Sequence, residues 1–329
     1  MNILIRAYGS HLMGMGHLYR IKKLVTKLKE KQNCTITLFT QKYDEAASIY
    51  KDIQVDKVIE IVPNISINDE IKELENIFKN KYDICINDQL NTDTKIAILL
   101  TTKCINSITF DDLGDGNYLF NHCINVLYPS NKKRDNEINS YSYMLLDNYL
   151  SIKENLTYKK EIKTIFINQG AADTWGAIPD MIKDLNLIQN DFKIKVLLGP
   201  SFKHFDELDD ALKTNKKQIE IINNTDSVVE LAKDCELAIL GAGNTLFEIA
   251  SLGIPVIAST REQKELITIT RLLKDNIIYA NNKLYRSNLN ILVEEIYNND
   301  IDRKLKYEQN RNVFNYNGLD KIIKLINGE

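Results

Sequence analysis

A histidine stands behind two glycines where a strand-like segment hands over to a helix-like one. The segment Ile3-Leu4-Ile5-Arg6-Ala7 and a short polar turn are followed by Gly14-Met15-Gly16-His17, then by apolar residues at Leu18, Ile21, Val25 and Leu28. Glycines let a backbone approach a ligand closely, and the free N–H groups of a helix's first turn favour an anion. A histidine there can hold or move a proton near neutral pH. A plain turn into a helix is the alternative; its place after the first strand makes this one a site candidate. The turn lacks the third glycine of the dinucleotide fingerprint, which weighs against an NAD-dependent oxidoreductase. Candidate substrate-binding residues beside His17 are Gly14, Met15, Gly16, Arg20 and two acids at strand ends, Asp88 and Asp111. Acids in such places often only cap helices or form turns. In a parallel sheet they emerge on the side of the His17 turn, where a carboxylate can orient an imidazole.

The second half carries its own post-strand turns. Thr164–Ile167 leads into Asn168-Gln169-Gly170-Ala171-Ala172-Asp173, and Lys193–Leu198 leads into Gly199-Pro200-Ser201. Leu237–Leu240 delivers Gly241-Ala242-Gly243-Asn244-Thr245 to a helical pattern, a turn suited to a diphosphate at a helix start. Glu248 lies one helical turn further, in reach of ribose hydroxyls; a surface carboxylate over a closely packed helix is the alternative. Leu252-Gly253-Ile254-Pro255 ends that helix and opens the next strand. Arg261-Glu262-Gln263 follows that strand as a weaker candidate.

These residues need a scaffold that brings strand ends together, and the chain's rhythm supplies one. Strand candidates in the first half are Ile3–Ala7, Thr35–Phe39, Lys57–Ile61, Ile84–Asn87, Asn106–Phe110 and Cys123–Leu127. Between them lie amphipathic stretches such as Asp69–Phe78, with Ile71, Leu74, Ile77 and Phe78 on one face. The polar segment Asp135–Thr157 breaks the rhythm and reads as an irregular connection. A second series follows: Thr164–Ile167, Lys193–Leu198, Ile219–Ile222, Leu237–Leu240, Val256–Ala258 and Ile277–Tyr279. Leu319–Ile326 reads as a closing amphipathic helix. Alternation of this kind defines an α/β protein with parallel sheets. The expected architecture is GT-B-like: two Rossmann-like domains facing across a cleft, residues 1–155 carrying the histidine turn and 156–315 the nucleotide, with 316–329 closing the chain. In such sheets ligands bind beyond the carboxyl ends of the strands.

Composition narrows the field further. The 329 residues carry 42 Lys and Arg against 45 Asp and Glu, a net charge of −3, with no basic face to suggest a nucleic-acid partner. Lys132-Lys133-Arg134 reads as solvated surface. No apolar run is long enough to span a bilayer, and the first residues enter a strand rather than a signal peptide. Five isolated cysteines argue for reduced thiols in a cytoplasmic protein. His11, His17, His122 and His204 show no metal-ligand spacing, so neither a metal nor a cofactor is expected.

Taken together, Gly14-x-Gly16-His17-x-x-Arg20, Phe110-Asp111-Asp112, Gly170-x-x-Asp173, Leu198-Gly199-Pro200 and Gly243 through Glu248 with Gly253-Ile254-Pro255 resemble the PseG/SpsG-like UDP-sugar hydrolases of pseudaminic acid biosynthesis. Those are themselves similar to MurG-type GT-B glycosyltransferases. The resemblance implies that His17 is a general base activating water against the anomeric carbon of a UDP-linked 2,4-diacetamido-2,4,6-trideoxyhexose. UDP departs with inversion, stabilised by the second helix start without a metal. It further implies nucleotide contacts at Gly170, Asp173, Gly199, Gly243, Asn244, Thr245, Glu248 and Gln263. The chain departs from the family where Asp88-Gln89-Leu90 replaces Asp-His-Tyr, Gly170-Ala171-Ala172-Asp173 replaces Gly-Gly-x-Asp, Glu262-Gln263 replaces Asn-Gln, and Arg20-Ile21 replaces Arg-Cys. An inverting glycosyltransferase with a glycan or protein acceptor is the main rival reading. A nucleotide-sugar-binding protein without turnover is a third.

Overall fold

The computed structural model describes the chain apart from residues 11–13, 131–133, 224, 226, 261, 262, 264 and 281–287, and the side chain of residue 45. His11, Lys132-Lys133, Arg261 and Glu262 therefore lie outside the described residues. The chain forms two compact units, Met1–Leu145 with Asn317–Glu329, and Leu146–Tyr316.

In the first unit the order is β1 (Asn2–Ala7), α1 (Gly16–Lys31), β2 (Thr35–Gln41), α2 (Asp44–Lys51), β3 (Lys57–Ile61), α3 (Ile67–Ile77), β4 (Ile84–Asp88), α4 (Thr94–Lys103), β5 (Asn106–Phe110), β6 (His122–Ile124) and β7 (Glu137–Ile138). The second unit runs α5 (Leu150–Asn155), β8 (Thr164–Asn168), α6 (Ala177–Leu185), β9 (Lys193–Leu197), α7 (Phe205–Lys213), β10 (Ile219–Ile222), α8 (Val228–Ala232), β11 (Leu237–Leu240), α9 (Asn244–Ser251), β12 (Val256–Ala258), α10 (Glu265–Lys274), α11 (Leu289–Asn298) and α12 (Asp300–Val313). The last helix, α13 (Gly318–Ile326), returns to the first unit.

Among the described residues the first sheet has the order β3-β2-β1-β4-β5-β6-β7 and the second β10-β9-β8-β11-β12, every pairing parallel. Each order reverses once, between β1 and β4 in one sheet and between β8 and β11 in the other. Those reversals are where doubly wound sheets open a crevice for ligands. The strands can be central because they are apolar on both faces: Ile3, Leu4 and Ile5 are completely buried. Helix α1 turns Leu18, Ile21, Leu24, Val25 and Leu28 inward. Helix α13 buries Leu319, Ile322, Ile323 and Ile326 within the first unit, where Lys31 pairs with Asp320 at 2.8 Å and Asn106 Nδ2 donates to Leu325 O at 2.7 Å.

Register sorts the residues of the first sheet by face. Arg6 pairs with Asn87 and Asn87 with Thr109, while Ala7 pairs with Asp88 one position on. Because side chains alternate, Arg6 and Asn87 lie on one face of the sheet and Asp88 on the other, under α1.

Three expectations need correction. Ile277–Tyr279 is not a strand; only Tyr279 bridges, in parallel to Ile257. The preceding Asn276 is left-handed at φ 57° and starts the segment from a tight turn. β6 ends at Ile124, because Asn125 Oδ1 accepts from Asp112 N and Leu127 N donates to Asp111 instead of continuing the ladder. The stretch Asp135–Thr157 is not irregular throughout: it contains β7 and α5. A two-residue strand is too short to show alternation, and Glu137 is held by accepting from Asn125 Nδ2 and Ser130 N. All five cysteines are free, and no helix among the described residues is long and apolar enough to cross a membrane.

Candidate active site

The turn after β1 closes through Gly14 N donating to Ser10 O at 2.8 Å, and Gly14 adopts φ +82°, where a side chain would be strained. Met15 caps α1 with no side-chain hydrogen bond, so the first N–H groups of the helix keep their donor capacity. The Met15 side chain is buried, leaving only its backbone to a ligand. Gly16 is exposed, and His17 stands second in the helix.

His17 Nδ1 lies 2.6 Å from Asp88 Oδ1. Arg20, one turn on, donates Nε to Asp88 Oδ2 at 2.8 Å and Nη2 to Asp88 Oδ1 at 2.6 Å, and its Nη1 binds Asp111. Asp111 is itself left-handed at φ 45°, a conformation that lets its other oxygen accept from Leu127 N at 2.7 Å. Burial alone would raise the Asp88 carboxyl, but the Arg20 guanidinium and His17 outweigh it and hold Asp88 below the ordinary carboxylate value. The Arg20 guanidinium resists deprotonation: burial opposes its charge, and Asp88 and Asp111 more than restore it. An ionised carboxylate only accepts hydrogen bonds, so the His17 ring meets Asp88 with an Nδ1–H, and the neutral form of that ring has its lone pair on Nε2. The Asp88 side chain is 0 % exposed and His17 16 %, so only the imidazole reaches solvent.

The opposite face of the sheet holds a second buried network. Arg6 Nε donates to Glu70 Oε1 at 2.6 Å and Nη1 to Asn87 Oδ1 at 2.8 Å, while Tyr8 OH also binds Glu70. Asn87 Nδ2 reaches Thr92 and Thr109, and Asp112 accepts from Thr92 N at 3.0 Å and Gly114 N at 2.9 Å. This network ties the ends of β1, β4 and β5 together directly beneath Asp88.

In the second unit Asn168 anchors the turn after β8, donating to Leu197 O at 3.0 Å and accepting from Gly170 N at 3.1 Å. Asp173 accepts from Ala177 N at 2.8 Å and Ile178 N at 3.0 Å, which makes it a cap of α6. A Cβ on Gly199 would sit 2.3 Å from Ala171 O and 2.4 Å from Gly170 O. Gly199 is thus a packing requirement: it lets one post-strand turn rest on the next. Gly199→Ala is expected to destabilise the protein by about 1–3 kcal/mol, read as a lower urea midpoint, because backbone must shift to relieve the overlap. An unchanged midpoint would contradict this packing.

Gly243 differs from Gly199. Its φ of −96° suits any residue, and a Cβ there would meet nothing within 4 Å. The fold of this unit gives no reason for a glycine at that position. Beside it, α9 begins with no side-chain cap and no acid in its first turn. Asn244 Oδ1, Gln169 Nε2 and Ser259 Oγ, all at the carboxyl ends of β8, β11 and β12, are buried without a hydrogen-bond partner among the described residues. Thr245 and Glu248 are half-buried on the same helix. Gln263 lies in an exposed turn after β12, its carbonyl accepting from Leu266 N at 3.1 Å.

The structure therefore brings His17, Arg20, Asp88 and Asp111 into one cluster. It gathers Gly170, Gly243, Asn244 and Thr245 at the carboxyl edge of the second sheet. Sequence reasoning places Asn168 and Gln169 in the turn after β8 without singling them out as candidates, and it misses Ser259. Their only signal is a polar residue directly at the end of an apolar strand. Gln89 Nε2 and Thr40 Oγ1, buried and without partners among the described residues, are similarly placed at strand ends in the first unit.

Two parallel α/β sheets, each with its crevice at a reversal of strand order, define the GT-B class of fold. MurG of Acinetobacter baumannii superposes with a TM-score of 0.73 at 13% identity, covering 100% of this chain and 99% of that one. The UDP-GlcNAc 2-epimerase of Neisseria meningitidis, solved bound to UDP-GlcNAc, superposes with a TM-score of 0.63 at 14% identity, covering 100% of both. No family model matches the chain. An uncharacterised protein of Methanocaldococcus jannaschii is 34% identical over 276 residues, 78% of this chain; the chain spans 55% of that relative's length. The spore coat polysaccharide biosynthesis protein SpsG of Bacillus subtilis is 26% identical over 284 residues, 82% of this chain and 80% of SpsG. The likeness to SpsG and to the MurG-type fold thus extends over most of the chain.

Proposed function

We propose that this protein hydrolyses a UDP-linked diacetamido-trideoxyhexose at the anomeric carbon, releasing UDP and the free sugar, a reaction that would serve nonulosonic (pseudaminic-type) acid biosynthesis. The observation that carries the proposal is the His17–Asp88 pair: a buried carboxylate 2.6 Å from Nδ1 of a partly exposed imidazole, an arrangement that leaves Nε2 of the neutral ring to take a proton from water. As water's oxygen bonds to the anomeric carbon, its proton passes to Nε2 and the bond to UDP breaks, inverting the centre. The second unit supplies the start of α9 for the diphosphate and Glu248 for the ribose. The open space over Gly243 and the unpartnered groups around it support a ligand there.

Purified protein is expected to release UDP from UDP-2,4-diacetamido-2,4,6-trideoxyhexose without any acceptor. Release that requires a glycan or protein hydroxyl would instead identify a glycosyltransferase, and UDP binding with intact donor after long incubation would identify a binding protein. Gly243→Val fills the space over α9 at little cost to folding, so it is expected to weaken UDP binding at least about tenfold by calorimetry, or about 1.4 kcal/mol. Unchanged affinity would remove the second-unit turn from the nucleotide site.

A further inference from the structure

Arg20, Asp88 and Asp111 read in sequence as candidate substrate contacts, and the two acids also as carboxylates able to orient the imidazole. Their polar atoms face one another beneath the imidazole, and the Arg20 and Asp88 side chains are 6% and 0% exposed. Asp88 Oδ1 is shared: His17 Nδ1 and Arg20 Nη2 both lie 2.6 Å from it. Arg20 is shared in turn, gripping Asp88 with Nε and Nη2 and Asp111 with Nη1. The charges form a chain of alternating sign that ends on the imidazole.

We infer that Arg20 and Asp111 are positioning residues that act on His17 through Asp88, Arg20 setting how much carboxylate charge the imidazole feels and Asp111 setting how much of Arg20's charge reaches Asp88. The inference rests on His17 being the base. A lone buried carboxylate against Nδ1 would favour the imidazolium and leave little free base at neutral pH. A guanidinium clamped on the same carboxylate offsets that pull while preserving the Nδ1–H···O hydrogen bond that aims the ring. The amino end of α1 acts in the same direction as Arg20.

Among the described residues, the acids that pair with α1 further along the helix are directed elsewhere. Asp52, just after α2, pairs with Lys22 at 3.5 Å, and Asp320 from α13 pairs with Lys31 at 2.8 Å. Arg6, Glu70 and Asp112 belong to the network on the opposite face.

Histidine labelled at Cε1 and both ring nitrogens gives a direct test by NMR titration, with His17 assigned among the four histidines through a His17→Asn sample. Parent protein is expected to show the Nδ1–H tautomer. Arg20→Gln is expected to move the His17 midpoint up by about one pH unit, Asp111→Asn to move it down, and Arg20→Lys to return it close to the parent value. A merely structural role would lower melting temperatures without driving the midpoint in opposite directions. Midpoints that stay fixed, or move together, overturn the inference. If Arg20→Gln does not fold, Asp111→Asn still decides the sign. The titration reads no turnover, so a protein that failed to release UDP would still confirm or refute it.

Discussion

Replacing His17 by asparagine is expected to reduce UDP release by about 10²–10⁴-fold, the usual contribution of a positioned acid or base. Asparagine is the informative substitution because its Nδ2 takes the place of the imidazole Nδ1 and can still donate to Asp88, while nothing replaces Nε2. The side chain is only partly buried and ends the charge cluster, so melting temperature and UDP affinity should remain close to those of the parent. Turnover measured beside a calorimetric UDP titration separates loss of the base from loss of the fold. A variant that releases UDP at the parent rate would remove His17 from the chemistry.

The largest loss of stability is expected from Asp88→Ala. Arg20 is buried, and among the described residues Asp88 accepts two of its three side-chain hydrogen bonds, from Nε and Nη2, with Asp111 accepting the third. Removing one side of a buried charge pair leaves the other uncompensated and costs about 3–5 kcal/mol, a large part of a typical domain's stability. Urea unfolding followed by far-UV circular dichroism reads this directly, and a cost below about 1 kcal/mol would contradict it. The same carboxylate gives the parent a pH signature. Its folded pKa lies below the unfolded value of about 3.9, so its stabilisation is complete above that pH and is lost as pH falls through the folded value. Acid unfolding should therefore begin below about pH 4, and Asp88→Asn should flatten that limb.

Much of the scaffold is legible in the sequence because parallel strands buried on both faces are continuous apolar runs, as at Ile3–Ile5 and Leu237–Leu240. Topology then did what spacing could not. Asp88 and His17 are 71 residues apart, and only the adjacency of β1 and β4 makes them neighbours. Arg20 shows the limit. Three residues after His17, it reads as a cation presented to substrate, whereas helical periodicity turns it inward onto two carboxylates. Asp173 and Gly199 show a related limit, since a loop residue that shapes a ligand turn looks in sequence like one that touches the ligand. The strand β7 is not legible in sequence because two residues carry no pattern.

Hydrolysis in water enriched in oxygen-18 tests the central claim most directly. With UDP-2,4-diacetamido-2,4,6-trideoxyhexose and no acceptor, mass spectrometry is expected to find one heavy oxygen in the released sugar and none in UDP, because water attacks the anomeric carbon. Heavy oxygen in the UDP phosphate, or no release of UDP until a hydroxyl acceptor is added, would contradict it.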